Sequence, residues 1–158
     1  MSQKAQEAFS KLASSKVDPM WIGKPNAWIR ELAPAHIGIV GEDLALSVIG
    51  GTKAPNNKSG YDINYGEMLI EVKLSTVIVA NGYPILVWRQ IRPTDSYTHI
   101  CFVAVYPEDV RIFLVSKGDI PSECLKHQHG RGESLEIFQI HARKIHDLFP
   151  WMVRNEIK

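Results

Sequence analysis

The chain has 158 residues, 45% of them hydrophobic, which suits one domain with a hydrophobic core, and we expect residues 1–158 to form it. The formal net charge is +1, so non-specific coating of nucleic acid is disfavoured and any nucleic-acid contact must come from local Lys and Arg clusters. Two cysteines exclude a disulfide framework, and no apolar run approaches the length that spans a membrane.

The N-terminal region is predicted to be helical. Residues 2–15 form a polar amphipathic helix without the apolar stretch of a secretory signal, so we expect a cytoplasmic protein with no membrane contact. Asn26 is predicted to cap a second helix over Ala27–Ala33. Trp21 and Trp28 are expected to pack in the core. Residues 1–34 would then be a helical N-terminal extension of the domain.

A stronger helix follows over Ala35–Ile49, where apolar residues recur near the helical period. Gly50 and Gly51 end it, as glycines at a helix C-terminus do. Thr52 to Gly60 is rich in turn residues and is predicted to be a polar loop. Four of its side chains could meet phosphates or base edges, or could be simply solvated, namely Lys53, Asn56, Asn57 and Lys58.

The stretch from Gly60 to Ser75 is predicted to be a β-hairpin. The Gly66-Glu67 pair suits a two-residue type II′ turn. With that turn, Asp62 lies opposite Glu71. Lys73 follows on the same face as Glu71, because side chains alternate along a strand. Two carboxylates and an ammonium group therefore converge.

Carboxylates placed opposite each other repel, and a shared proton or a divalent cation would remove that repulsion. Oxygen ligands without sulfur or imidazole indicate Mg²⁺ rather than zinc. A nearby lysine can orient a metal-bound water or stabilise a pentavalent phosphorane. The alternative is an exposed hairpin on which Glu71 and Lys73 merely form the polar face.

Asp62 followed by Glu71-Val72-Lys73 resembles the D-(x)n-(E/D)-x-K core of the PD-(D/E)XK nuclease superfamily, with Tyr61 where a proline usually stands. The resemblance covers roughly Gly41 to Val115. It implies the α/β restriction-endonuclease-like fold, a mixed central β-sheet flanked by helices.

The resemblance also implies roles for single residues. Asp62 and Glu71 would bind Mg²⁺, with Mn²⁺ as a substitute, and the Val72 carbonyl would assist. Lys73 would position or activate the attacking water. Glu42, on the helix before the hairpin, could join the metal site, whereas a generic helix would leave it facing solvent.

Further DNA contacts are predicted beyond the hairpin. Ser75 continues the Glu71/Lys73 face. The Asn81-Gly82 turn leads into an apolar strand that ends in a polar cluster. The resemblance puts Gln90 of that cluster near the active site and Arg89 or Arg92 near the phosphate backbone, although surface ion pairing would explain each arginine equally well.

The last third of the chain is predicted to complete the sheet. Its elements are a central strand over Thr98–Tyr106, a strand over Val110–Val115, a loop and short helix over Lys117–Leu125, a strand over Ser134–Ile140 and a helix over Ala142–Arg154. The loop Lys126–Gly132 is basic. Its His129 and Arg131 are candidates for DNA contact, and a bland exposed loop is the alternative.

The sequence thus predicts an Mg²⁺-dependent endonuclease of double-stranded DNA, acting in restriction as a homodimer. The restriction interpretation would imply a companion DNA methyltransferase that acts on the same site. Two alternatives stay open: a structure-specific nuclease of repair or recombination, such as a junction resolvase, and a non-catalytic DNA-binding module of the same fold. The balanced charge and the N-terminal extension favour restriction over the resolvase.

Overall fold

A computed structural model describes residue 3 and residues 5–7, 18–55, 59–128, 137–143 and 148–158. Of the helix predicted over residues 2–15, residues 3 and 5–7 are described and are helical, and the others lie outside the described residues. Within the described residues, no helix has the length and apolar character needed to cross a membrane.

Beyond residue 17, the described residues form two α-helices, several short 3-10 turns and nine strands. The helices are α1 (Pro34–Ile49) and α2 (Pro150–Val153), and 3-10 turns cover Pro19–Trp21, Ala27–Glu31, Lys117–Asp119 and Ser122–Cys124. The strands are β1 (Thr52–Lys53), β2 (Ile63–Tyr65), β3 (Met68–Thr76), β4 (Ile78–Ala80), β5 (Tyr83–Ile91), β6 (His99–Val105), β7 (Val110–Ser116), β8 (Lys126–His127) and β9 (Phe138–Ala142).

The strands make two sheets rather than the single central sheet that was predicted. The larger sheet has the order β1-β2-β3-β6-β7 and the smaller sheet the order β4-β5-β9-β8. Pairing of β3 with β6 is parallel and the other pairings are antiparallel, so the prediction of a mixed α/β protein is confirmed. Strand β5 cannot join the larger sheet beside β3, because β2 and β6 already occupy both edges of β3.

The core lies around β6, whose residues Ile100 to Val105 are all buried, as predicted for a central strand. Trp88 of the smaller sheet packs edge-on against Phe102 of β6, with ring centroids 5.5 Å apart. Its indole N–H donates a hydrogen bond to the Val103 carbonyl at 3.0 Å. A buried aromatic side chain with a satisfied polar group thus fixes one sheet against the other.

Helix α1 covers β3 and confirms the prediction for that segment to within one residue. The helix begins at Pro34, which needs no N–H partner in the first turn, and ends at Gly50 with φ of +87°. Gly41 lies so close to the sheet that a Cβ atom there would be 3.1 Å from the Cβ of Leu74. The close approach brings the helix residue after Gly41, which is Glu42, towards the hairpin.

Several predicted elements near the ends of the described chain were wrong in detail. Asn26 precedes a 3-10 turn, and its side chain donates to the Tyr106 carbonyl at 2.9 Å instead of capping the turn. Trp28 is 51% exposed and is not a core residue, whereas Trp21 is buried. Ala142 lies in β9 rather than in a helix, and Pro150 begins α2, where a missing N–H costs nothing.

Candidate active site

The β2–β3 hairpin has the predicted register. Ile63 pairs with Ile70, Asn64 with Leu69 and Tyr65 with Met68. Gly66 has φ of +61° whereas Glu67 does not have a positive φ, which is the pattern of a type II′ turn. The predicted loop before the hairpin also contributes a short edge strand, because Thr52 and Lys53 pair with β2.

Asp62 lies just beyond the regular ladder of the hairpin. Its N–H donates to the Ile70 carbonyl at 2.8 Å, and its carboxylate oxygen Oδ2 accepts a hydrogen bond from the Val72 N–H at 2.7 Å. The backbone of β3 therefore holds this carboxylate beside the strand that carries Glu71. A hydrogen bond from a main-chain N–H restricts the orientation of a carboxylate without neutralising it.

Glu71 and Lys73 are neighbours on one face of β3, as predicted. The Lys73 ammonium Nζ donates a short hydrogen bond to Glu71 Oε1. The two side chains are 13% and 15% exposed, so this ion pair is largely shielded from solvent. Removing one member of such a pair leaves the charge of the other member buried and uncompensated.

The pKa values of both hairpin carboxylates are raised. Burial is the main cause of the raised pKa of Asp62, partly offset by the Val72 N–H and by Lys73. Burial also raises the pKa of Glu71, which Lys73 lowers and the Asp62 charge raises further. Negative charge at this patch is therefore costly for the protein by itself, and additional positive charge would stabilise it.

Glu42 extends from α1 towards the same patch. Burial is the largest cause of its raised pKa, and the charges of Glu71 and Lys73 also act on it. Its Oε2 lies 3.9 Å from Nζ of Lys53, and that ammonium is 2.6 Å from Asp43 Oδ1. Lys53, a predicted DNA contact, is thus paired with acidic side chains of α1.

A cavity of about 410 Å³ opens beside Lys73. The start of α1, the second half of β3 and the end of β5 line it, and Arg89 and Gln90 belong to the β5 part. Gln90 has φ of +58° in an irregular part of the β5–β9 pairing, and its N–H donates to Gln128 Oε1 at 2.8 Å. Such a backbone conformation is uncommon for a residue with a side chain, and strained residues of this kind cluster at functional sites.

The other predicted DNA contacts have different surroundings. Ser75 is 5% exposed, and its hydroxyl accepts a hydrogen bond from the Val87 N–H at 2.8 Å, which links β3 to β5. Arg89 and Arg92 are exposed. The remaining candidates lie outside the described residues, namely Asn56, Asn57, Lys58, His129 and Arg131.

Two residues beside the site were missed in the sequence. Tyr97 is 3% exposed, and its phenol pKa is raised first by burial and then by the charges of Glu71 and Asp95. Lys117 lies over the Tyr97 ring, 4.3 Å from its centroid, and donates to the Asp95 carbonyl at 2.7 Å. The only sequence signal was a tyrosine directly before the predicted central strand, since the pairing of that strand with β3 is not visible in the sequence.

Oxygen donors at the hairpin suit a hard divalent cation. Two carboxylates with raised pKa values come from one short segment, and neither is a soft ligand. Among the described residues, no group of three or more His, Cys, Asp or Glu side chains is arranged to hold a metal ion. Asp62, Glu71 and Glu42 therefore do not form such a group in this structure.

No family model matches the sequence, and no curated protein matches it either.

Proposed function

We propose that this protein is a metal-dependent endonuclease that hydrolyses phosphodiester bonds of double-stranded DNA, and that it acts in sequence-specific restriction. One observation carries the proposal. The hairpin carries Asp62 and the Glu71–Lys73 pair on one short segment. The Val72 N–H holds the Asp62 carboxylate, and the Lys73 ammonium holds the Glu71 carboxylate. This combination of charges suits phosphoryl chemistry better than it suits a solvated surface.

Asp62 and Glu71 would hold Mg²⁺, or Mn²⁺ in its place, with the Val72 carbonyl as a third ligand. When bound, the ion would supply Lewis-acid stabilisation of the charge that develops on the phosphate and the leaving oxygen. The raised pKa values of both carboxylates support this arrangement, because a cation would relieve the cost of burying their charge.

Lys73 would orient the attacking water and stabilise the negative charge of the pentavalent phosphorane. Its ammonium is already positioned by Glu71, so little conformational freedom has to be lost when substrate binds. Glu42 would tune the same patch from α1, and Gln90 would contact the substrate from the cavity that it shares with Lys73.

DNA would approach along the cavity between α1 and β5, where Arg89 can contact a phosphate. Arg92 is exposed beyond the end of β5 and can serve the same purpose. Cutting both strands of a duplex requires two active sites, so the proposed enzyme is a homodimer with two-fold symmetry.

The test is incubation of the purified protein with supercoiled plasmid and long linear DNA, with Mg²⁺ or with EDTA. Lys73→Ala and Asp62→Ala are compared with wild type, and Lys24→Ala is the matched control, since its ammonium pairs with Glu108 at 2.7 Å instead of with the hairpin. We expect discrete Mg²⁺-dependent bands from wild type and the control only. Normal cleavage by either hairpin variant would overturn the proposal.

A second candidate function is DNA binding without cleavage. The Glu71–Lys73 ion pair favours it, because that pair neutralises the Glu71 charge without any added ion. Binding of duplex by a wild-type protein that cuts neither duplex nor a four-way junction would support this second function. Cleavage of the junction alone would indicate a structure-specific resolvase.

A further inference from the structure

A basic cluster lies on the smaller sheet, away from the hairpin in sequence. His141 of β9 pairs with Val87 of β5, and Gln139 of β9 pairs with Lys126 of β8. Paired residues and residues two apart on a strand share a face, so Lys126 and His141 lie on the same face of this sheet. Arg143 follows two residues after His141.

His141 has an unusual environment. Its ring nitrogen Nε2 is fully buried and has no hydrogen-bond partner in the described part of the chain. A buried polar atom without a partner is costly, and such atoms in folded proteins are usually satisfied by a protein group, an ordered water or an ion. Two cavities of about 530 Å³ each adjoin the residue, and both are lined by His141 and Arg143.

Among the described residues, the charges that act on the pKa of His141 are all positive. Its pKa is lowered first by burial and then by Lys126 of β8, Arg89 of β5 and Arg143 after β9. Three cations that converge on one imidazole repel one another and disfavour its protonation. An anion between them would reduce that repulsion.

We infer that Lys126, His141 and Arg143 form a binding site for a phosphate group on the smaller sheet. A guanidinium fork, an ammonium and an imidazole together offer several donors to one tetrahedral anion. Arg89 connects this site to the proposed active site, because it lines the cavity beside Lys73 and also acts on His141.

The phosphate could belong to a nucleic-acid backbone or to a small phosphate compound. The site itself stands independently of the proposed nuclease, and only its assignment to a DNA backbone rests on that function. A backbone held here would continue from the cavity beside Lys73, past Arg89, to the smaller sheet.

The experiment follows the imidazole nitrogen signals of the whole protein by NMR while inorganic phosphate is added. Comparison with His141→Gln identifies the His141 signals. We expect a saturable change at His141 and a rise of its pKa as phosphate binds. Arg143→Gln and Lys126→Gln should each weaken phosphate binding about tenfold, the loss expected when a charged hydrogen bond is removed.

Lys24→Gln is the control, because Lys24 pairs with Glu108 and does not line either cavity. No saturable response at His141, or an equal loss in Lys24→Gln and Arg143→Gln, would overturn the inference. Circular dichroism of each variant verifies that the fold is retained.

A second titration uses a DNA duplex without metal, in the Asp62→Asn background that should not cleave. Displacement of phosphate from His141 by the duplex would assign the site to a nucleic-acid backbone, and phosphate binding without displacement would assign it to a small phosphate compound. Neither titration requires cleavage, so a phosphate site present in a protein that cuts nothing would leave this inference standing while the nuclease proposal fails.

Discussion

In the larger sheet, the carboxylates come from one hairpin, whereas in the smaller sheet the cations come from strands far apart in the chain. Asp62 and Glu71 are nine residues apart, and the Val72 N–H holds the Asp62 carboxylate beside the strand that carries Glu71. The charges of Lys126 and Arg89 act on His141 because β9 pairs with β8 on one side and with β5 on the other. Local turn chemistry thus builds the acidic patch, and long-range strand pairing builds the basic one.

The two patches also differ in the sign of the charge that would stabilise them. Burial raises the pKa values of the hairpin carboxylates, so the acidic patch is stabilised by added positive charge. Burial and three cations lower the pKa of His141, so the basic patch is stabilised by added negative charge. A metal ion at the first and a phosphate at the second would satisfy both requirements, and a DNA strand with a bound cation would supply them together.

The largest expected effect is on the kinetics of DNA cleavage. A substitution in the acidic patch should lower the rate of the chemical step, whereas a substitution in the basic patch should weaken DNA binding. Lys73→Ala should lower the rate of DNA cleavage about a thousandfold, because it removes a charge that acts on the transition state. Arg143→Gln should leave the maximal rate nearly unchanged and raise KM, since a phosphate contact away from the cut contributes to binding.

Cleavage kinetics at several salt concentrations measure this difference. Loss of one phosphate contact should also reduce the salt dependence of binding by about one unit of logarithmic slope. A large fall in kcat for Arg143→Gln would contradict the separation of the two patches.

The next effect concerns the link between the sheets. Ser75→Ala should destabilise the fold by about 1–3 kcal/mol, because the buried Val87 N–H loses the hydroxyl that accepts its hydrogen bond. Urea unfolding of the variant measures the change in the free energy of unfolding. Ser47→Ala, at an exposed serine of α1, is the matched control and should change stability by less than about 0.5 kcal/mol.

A smaller effect comes from the acidic patch. Asp62→Asn should stabilise the metal-free protein at neutral pH on the order of 1 kcal/mol after allowance for solvent screening, because burial disfavours the ionised carboxylate. Because the pKa of Asp62 is higher in the folded protein than its ordinary value of 3.8, the protonated carboxyl stabilises the fold. This stabilisation is complete below pH 3.8 and is lost as the pH rises through the pKa of the folded protein.

The advantage of Asp62→Asn should therefore be absent in acid and full near pH 7. Thermal unfolding across this range, in EDTA, measures it. Asn keeps an oxygen that can accept the Val72 N–H, so an advantage that is independent of pH would show that ionisation is not its cause.

The smallest effect has the opposite pH dependence. The lowered pKa of His141 means that the neutral imidazole is favoured in the folded state. Its stability contribution is complete above the ordinary pKa of 6.5 and is lost as pH falls towards the lower folded value. His141→Gln should remove this loss, which is below about 1 kcal/mol for one partly buried group.

Thermal unfolding of His141→Gln and of His36→Gln, an exposed histidine on α1, measures the difference below pH 6.5. Added phosphate should reduce the loss of stability below pH 6.5 in wild type but not in His141→Gln. If stability fell equally steeply with decreasing pH in wild type and in His141→Gln, the loss could not be assigned to His141.

Much of the larger sheet was predictable because its determinants are short in sequence. The Gly66-Glu67 turn fixes the hairpin register, the apolar run fixes β6 as a buried strand, and two glycines fix the end of α1. These features follow from backbone conformation and side-chain period, which each segment carries in its own residues.

The smaller sheet and its basic cluster were not predictable in this way. Ala142 reads as the start of a helix, yet pairing with Leu86 puts it in β9. His141 becomes notable only when β5 and β8 bring cations to it, and Tyr97 only when β6 pairs with β3. The sequence by itself determined the hairpin and its convergence of Asp62, Glu71 and Lys73, because a two-residue turn leaves one register; the tertiary structure decided which distant strands share a face, because strand pairing over long separations depends on the packing of the whole core.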